Sequence, residues 1–441
     1  MKLSKYIVAL VLLISIQANA QVSNLSPYSR YGLGNLQLSA STQLQTMGHG
    51  VSTYADPFVI NSDNPATYYL ANKPVFDANF KASFVNLSSE NGSIAKRNMS
   101  ISGFRFMFPL LANKIGLSFG LTPYSSARYF VKDTKNDPSI GDVSYEYEGS
   151  GGINKVYLGI GAKVLGNDSL NVAIGANGIY MFGFSDKTRR ALMPEGSSYF
   201  NVSSINKISI SDFTSEASII VNWQPKKSKF VSWRFGATFS LGGNMKGKQS
   251  ELNQTFTYTS FRTQAFKDTL SFVDKGVGSI SLPIRFNYGI GAFVNKKLYV
   301  GLNYAYEDWS TYTATFNNVP LSYSELNASE AYSLSMEYTP QKSRMINNGF
   351  WKTVNYRMGA RIEDSYLTLN NNHLTIQAVS AGFGFPLLRS KSLTTINVGV
   401  EVGARKGESA EFVNENFTNI YLGMTFVPNK IDRWFVKRKY D

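Results

Sequence analysis

Lys155-Val156-Tyr157-Leu158-Gly159-Ile160-Gly161-Ala162-Lys163-Val164 is the stretch whose reading decides the fold. Its even positions are aliphatic, and its odd positions are lysine, tyrosine and glycine. Successive side chains of an extended strand point to opposite faces, so this segment carries one apolar and one polar face. The pattern recurs along the chain. Ile115, Leu117, Phe119 and Leu121 alternate with Gly116, Ser118, Gly120 and Thr122. Val231, Trp233, Phe235, Ala237 and Phe239 alternate with Ser232, Arg234, Gly236 and Thr238. Leu282, Ile284, Phe286, Tyr288 and Ile290 are set against Arg285, Asn287 and Gly289. Val354, Tyr356, Met358 and Ile362 are set against Asn355, Arg357, Arg361 and Glu363, and Ile420, Leu422, Met424 and Phe426 against Asn419, Tyr421, Gly423 and Thr425.

A sandwich strand also alternates, but here the polar faces combine glycine with Arg, Lys, Asn and Glu. A transmembrane barrel sorts its faces between lipid and lumen, and a misplaced charge at mid-bilayer costs roughly 2–4 kcal/mol. Consistent segregation is what that penalty predicts. The expected strands are 75–87, 97–109, 113–124, 153–165, 169–184, 206–224, 229–241, 279–293, 297–309, 328–340, 351–364, 373–386, 392–406 and 416–427, which makes fourteen. Two are imperfect. In 97–109, Phe104, Phe106 and Phe108 share a face with Ser100 and Ser102. In 373–386 the apolar phase passes from Ile376 and Ala378 to Val379, Ala381 and Phe383, and a bulge would re-phase it. The linkers 110–112, 166–168, 225–228, 294–296 and 387–391 are short, and longer ones interleave at 125–152, 185–205, 242–278, 310–327 and 407–415. Short periplasmic turns and long external loops are the bacterial arrangement. Only 341–350 is longer than its place predicts. The expected fold is all-β, an antiparallel transmembrane β-barrel with both chain ends in the periplasm.

The N-terminus supplies the route to that membrane. Lys2 and Lys5 precede an apolar run from Tyr6 to Ile16, and Ala18-Asn19-Ala20 gives the small-x-small pattern of a cleaved signal peptide. Residues 1–20 are therefore set apart, with Gln21 as the expected mature start. No cysteine occurs, which excludes a disulfide framework, a thiolate metal site and a lipid anchor on cysteine. Aromatic residues make up 14% of the chain, a bias suited to the interfacial girdles of barrels. The formal charge of +14 is scattered along the chain. With an export signal, it points to outer-membrane lipids and lipopolysaccharide and away from nucleic acid.

Residues 21–73 lack sustained periodicity. They are either a flexible periplasmic leader or a plug folded into the lumen, and a fourteen-strand lumen, too wide for wall side chains to fill, makes the plug physically reasonable. Tyr28, Tyr31, Tyr54, Phe58, Tyr68 and Tyr69 would supply its packing surface. The run Met47-Gly48-His49-Gly50, then Asp56 and Asn61-Ser62-Asp63-Asn64-Pro65-Ala66, resembles the N-terminal hatch of the FadL/TodX-type outer-membrane transport family. Ser26-Pro27-Tyr28-Ser29-Arg30-Tyr31-Gly32 and Asp432-Arg433-Trp434-Phe435 with Lys437-Arg438-Lys439 resemble its Bacteroidota branch. The domains are then a signal peptide (1–20), a hatch (21–73), a barrel (74–427) and a basic periplasmic tail (428–441).

That resemblance implies an outer-membrane channel for passive uptake of hydrophobic small molecules, fatty-acid-like or aromatic. Such molecules pass through the lumen and leave sideways at a kinked third strand. The hatch and gate residues would be Gly48, Gly50, Asn64, Pro65, Ala66 and Pro123. Pro123 cannot donate to the ladder and either interrupts pairing or marks the strand end. Leu192, Met193, Tyr199, Phe200, Phe256, Tyr258 and Phe261 would form the greasy entry, although Lys187, Arg189, Arg190, Lys246 and Lys248 make the same loops polar. Arg234, Arg285, Arg357, Arg361 and Arg405 are the candidate substrate-binding cations on lumen faces, beside Glu216, Glu307, Glu337, Glu363 and Glu401. Cross-strand ion pairing is the plainer use of such charges, with Glu337 against Arg357 or Arg361. The alternatives are a PorV-like partner-binding barrel in type IX secretion, with a secretion-system or surface-protein partner, and a structural or adhesion barrel. No enzyme is expected. His49 and His373, the two histidines, stand far apart, and no nucleophile elbow, zinc-helix or phosphate-loop motif occurs. No cofactor or metal is expected.

Overall fold

The computed structural model describes residues 26–428 apart from 39, 51, 91, 227–229, 260–262, 318, 322–324, 342–348, 370–371, 388–392, 408 and 410–411. The expected signal peptide, the tail from 429 onward and Phe261 lie outside the described residues. The strands are β1 (Asn35–Leu36), β2 (Val75–Ser89), β3 (Gly92–Leu111), β4 (Ile115–Ser126), β5 (Tyr129–Asp137), β6 (Gly141–Gly166), β7 (Leu170–Leu192), β8 (Asn201–Trp223), β9 (Val231–Ser240), β10 (Gly243–Tyr258), β11 (Gln264–Leu282), β12 (Arg285–Val294), β13 (Leu298–Asp308), β14 (Thr313–Phe316), β15 (Val319–Leu321), β16 (Ala328–Tyr338), β17 (Asn355–Leu369), β18 (Asn372–Pro386), β19 (Thr395–Gly407) and β20 (Asn414–Phe426).

Every pairing is antiparallel, and β20 pairs with β2 from Phe426↔Phe76 to Asn414↔Ser88, which closes the sheet. Among the described residues the wall has fourteen staves. β5 continues β4, β10 continues β9, and β12 continues β11, while β14 and β15 form a small hairpin at the outer end. Closure matters because lipid offers no partner to a free backbone edge. The outward face is apolar as expected: Leu158, Leu302, Met358 and Leu422 are all exposed at the surface of the isolated chain.

Three expectations are corrected. The stretches 125–152, 185–205 and 242–278, expected as loops, are mostly paired strand. Above the rim, β5, β6, β7, β8, β10 and β11 continue as one wall of six strands over half of the barrel mouth. Neither face of that wall meets lipid, so its sequence has no reason to alternate. The second correction concerns bulges. β18 pairs with β19 without any shift of register. Its apolar side chains change face because Leu374, Ile376 and Ala378 turn inward and are buried, Leu374 within a hydrophobic cluster, whereas Val379 and Phe383 are exposed on the outward face. The bulge lies instead in 97–109. Asn79 pairs with Gly103 and Phe80 with Ile101, so Ser102 is the extra residue, and Gly103 takes φ +133°.

The third correction concerns the chain's path. Tyr28 donates through its hydroxyl to the Val413 carbonyl at 2.8 Å, and Ser29 to the Arg128 carbonyl at 2.8 Å. Both acceptors stand at the hairpin end, which faces outward in bacterial barrels. Ser26 therefore lies near the outer mouth, not in the periplasm. From there the chain descends through the lumen to Ala71, whose carbonyl accepts from the Asn113 N–H of a periplasmic turn at 3.0 Å.

Candidate functional site

The inner half of the lumen is filled by the hatch, and the wall is shaped to receive it. Asn64 precedes a 3-10 helical turn, Pro65–Leu70, in which proline occupies the position whose N–H would have no helical partner. The Ala66 N–H donates to Ser218 Oγ at 2.7 Å, and Asn64 Nδ2 to the Ser52 carbonyl at 2.6 Å. Glycines on the inward faces of the wall let this turn lie directly on the strands. A Cβ on Gly175 would stand 2.3 Å from the Pro65 carbonyl carbon, and one on Gly161 2.3 Å from the Pro65 oxygen. Gly359 carries Met47 and Gly48 in the same way, and Gly236 carries Ser52. The glycine half of the alternating strands is thus a seat for hatch backbone. Gly48 itself has φ +66°, and a Cβ there would lie 2.8 Å from the Ala360 oxygen. Gly50 packs against Ser335 with no room for a side chain.

Of the five arginines expected on lumen faces, four are engaged within the protein. Arg357 Nε donates to Glu337 at 2.7 Å with both side chains buried, and Tyr54 of the hatch donates to the other Glu337 oxygen at 2.8 Å. Arg361 contacts Glu363 at 2.7 Å and Glu401 at 3.0 Å. Arg405 contacts Glu415 at 3.3 Å and donates to Asn35 Oδ1 at 3.0 Å. Arg234 donates to the hatch carbonyl of Ala55 at 2.5 Å and lies over the Phe293 ring. Arg285 sits directly across the β12–β13 ladder from Glu307 and lines the open space above the hatch. A further pair escaped the sequence reading. Arg105 and Asp77 are fully buried at 3.5 Å, and Arg105 Nε donates to Ser62 Oγ of the hatch at 3.3 Å. Opposite charges at inward positions of neighbouring strands were the signal that could have found it.

Above the hatch lies a chamber of about 580 Å³. His49 and Asp63 of the hatch face it, as do Lys81, Glu216, Arg285 and Glu307 of the wall. Burial pushes the His49 imidazole down to about 4, so it is neutral at neutral pH. His373 is at the outer end, bonded to Thr368 at 3.1 Å, and does not meet it. Among the described residues no cluster of side chains could hold a metal ion.

Beside the chamber the pairing of the wall is interrupted. β3 and β4 are paired only from Leu111↔Ile115 up to Phe104↔Leu121. Beyond the bulge at Gly103, β3 follows β2 alone, while β4 continues upward against β6. The edge that β4 loses is partly taken up by the hatch: β1 pairs Asn35↔Ser126 and Leu36↔Ser125, and the Gln37 N–H donates to the Tyr124 carbonyl at 2.8 Å. Leu36, Leu38, Ile101, Pro123 and Tyr124 border chamber and seam together. Pro123 is within β4, at a shift in the β4–β6 register, rather than at the strand's end. Of the expected greasy loop residues, Tyr199 and Phe200 are exposed in the connection between β7 and β8, whereas Phe256 is fully buried.

A family model described as BamG matches residues 2–441. No curated protein matches the chain. Among solved structures, the Pseudomonas putida toluene transporter TodX superposes with a TM-score of 0.55 at 13% identity, covering 91% of this chain and 100% of that one. A Pseudomonas aeruginosa FadL homologue gives 0.53 at 10% identity, covering 88% and 98%. The Ralstonia pickettii toluene transporter TbuX gives 0.51 at 12%, covering 89% and 99%. At these identities the likeness is one of fold.

Proposed function

The chain belongs to the BamG family and is an outer-membrane β-barrel with a FadL-like fold, and from that premise we propose that it passes amphiphilic small molecules between the outer chamber and the bilayer through the β3–β4 seam. One observation carries the reading: the wall is unzipped beside the chamber, and two residues of the hatch stand in for the missing strand. In lipid an unpaired backbone edge is costly, so a gap kept there and partly covered by a two-residue strand has the form of a door. The border residues Leu36, Leu38, Ile101 and Tyr124 suit an apolar chain, while Lys81 and Arg285 in the chamber suit an anionic head group. A fatty-acid-like solute fits both surfaces better than a bare hydrocarbon does. Its passage needs no covalent chemistry, only release of the β1–β4 pairing.

Locking that pairing tests the reading. Facing residues of an antiparallel pair stand within disulfide reach, and the chain has no native cysteine to interfere. In cells expressing Leu36→Cys/Ser125→Cys, uptake of a labelled long-chain fatty acid is expected to fall to background under oxidation. Reductant should restore it, and either single variant should take up solute like the parent. Unchanged uptake through the oxidised double variant would remove the seam as the route.

A further inference from the structure

The chamber above the hatch is lined by charges of both signs, and most of them are answered within the protein. Arg361 and Arg405 meet carboxylates at 3.0 Å and 3.3 Å, Lys155 meets Glu216 at 3.9 Å, and Arg285 faces Glu307 across the ladder. Away from the outer mouth, where Arg128 stands beside Ser29, two charges lack an ionic partner among the described residues. Lys81 donates to the neutral amide oxygen of Gln37 at 2.9 Å. Glu401 stands near it, but Arg361 takes one of its oxygens, and Asn419 and Tyr421 share the other. Asp63 is the converse case. The side chains of Asn61, Ser62 and Asn64 around it are bonded to hatch or wall. The Asp63 carboxylate lines the chamber and bonds to nothing among the described residues. Near it, Glu216 and Glu307 already share Lys155 and Arg285, so three carboxylates divide two cations. The His49 ring is close enough to feel both Lys81 and Asp63, and its Nδ1 has no partner among the described residues.

A charge drawn out of bulk water without an ionic partner is costly. A fatty acid would answer Lys81 and leave Asp63 as it is, and a simple amine would do the reverse. A head group that carries both charges answers both at once. On the reading that amphiphiles enter this chamber, we propose that Lys81, His49 and Asp63 at its foot bind the head group of a zwitterionic acyl lipid. Its phosphate or carboxylate takes the place of Gln37 on Lys81, and its ammonium group meets Asp63. The chain then has a defined place. Gln37 lies between Leu36 and Leu38, which border the seam, so an anion on Lys81 sets the acyl chain beside the interrupted pairing.

Competition between probes that share a palmitoyl chain tests it. Palmitoyl lysophosphatidylethanolamine and Nα-palmitoyl-lysine carry both charges, with a phosphate and a carboxylate respectively, and palmitate carries only the anion. Equimolar mixtures are offered to the purified protein, and the bound species are read by native mass spectrometry. At least one zwitterion should be retained about tenfold over palmitate, as a charged hydrogen bond predicts. Which of the two wins tells a phosphate-bearing from a carboxylate-bearing head group. Asp63→Asn should abolish the preference and leave palmitate bound, and Lys81→Gln should weaken palmitate and zwitterion together. The heat-modifiable band of the folded barrel verifies each variant. Palmitate bound as well as both zwitterions, a preference that survives Asp63→Asn, or no probe bound at all would overturn the proposal. No passage is measured, so the two readings fail separately. Uptake lost on locking Leu36→Cys/Ser125→Cys without a zwitterion preference would sink the head-group site alone. A preference with uptake untouched by the lock would sink the seam alone.

Discussion

The two halves of the lumen hold the same hatch in different ways. Toward the periplasm, hatch backbone lies on glycine, and some of its polar groups bond to buried partners such as Ser218, Ser335 and Glu337. Toward the outside the hatch touches the wall through a two-residue strand and a few side chains, beside an ion-lined chamber. The inner half is closely packed; the outer half encloses the chamber. One segment can thus be seated on the wall at one end and leave a chamber above it at the other, because the wall changes from glycine to charge partway up.

The comparison predicts unequal costs for ion pairs of similar geometry. Glu337→Ala leaves Arg357 buried and removes the acceptor of Tyr54, and stranding a buried charge costs about 3–5 kcal/mol. The hatch should then yield to protease and planar-bilayer conductance should rise, while the barrel band persists. Glu363→Ala, which removes an equally short contact, leaves Arg361 with Glu401 at the edge of the chamber. Its effect should be within about 1 kcal/mol, as for solvated pairs. Equal effects of the two substitutions would erase the distinction between the halves.

The seat itself comes next in size. Gly175→Ala puts a methyl group 2.3 Å from the Pro65 carbonyl carbon, and overpacking of this kind costs about 1–3 kcal/mol. Hatch protection in hydrogen exchange should drop around residues 64–70. A glycine that packs against no hatch atom, such as Gly178, should tolerate the same change without loss of protection.

Much of this was legible from residues alone. The cost of charge in lipid writes the fourteen staves into the sequence, and the Asn64-Pro65-Ala66 run marks the hatch. Glu337 and Arg357 could be paired because neighbouring strands carried opposite charges on inward faces. The seam was not legible, since a break in backbone pairing changes no side-chain pattern, and Gly103 looks like any other glycine of the inner face. The outer wall was hidden because strands with water on both sides lose their period. Nor does any hydropathy signal record that Ser26 lies near the outer mouth, which only the contacts of Tyr28 and Ser29 show.

The smallest expected effect concerns His49, which stands where the two halves meet. Its Nδ1 is buried without a hydrogen-bond partner among the described residues, and burial holds its pKa at about 4 against an ordinary value near 6.5. Between those values a released hatch binds more protons than a docked one, so docking weakens as pH falls from 6.5 toward 4. Glu401 opposes the shift by favouring the charged ring, and the partly exposed side chain reaches chamber water, so the effect is modest. Proteolysis of the hatch should quicken about threefold from pH 7 to pH 5 in the parent protein. His49→Asn keeps a residue that tolerates the observed φ of +59° and carries no titrating ring. It should flatten that dependence. If the parent and the variant respond alike, the pH response belongs to the carboxylates of the chamber and not to the residue between the halves.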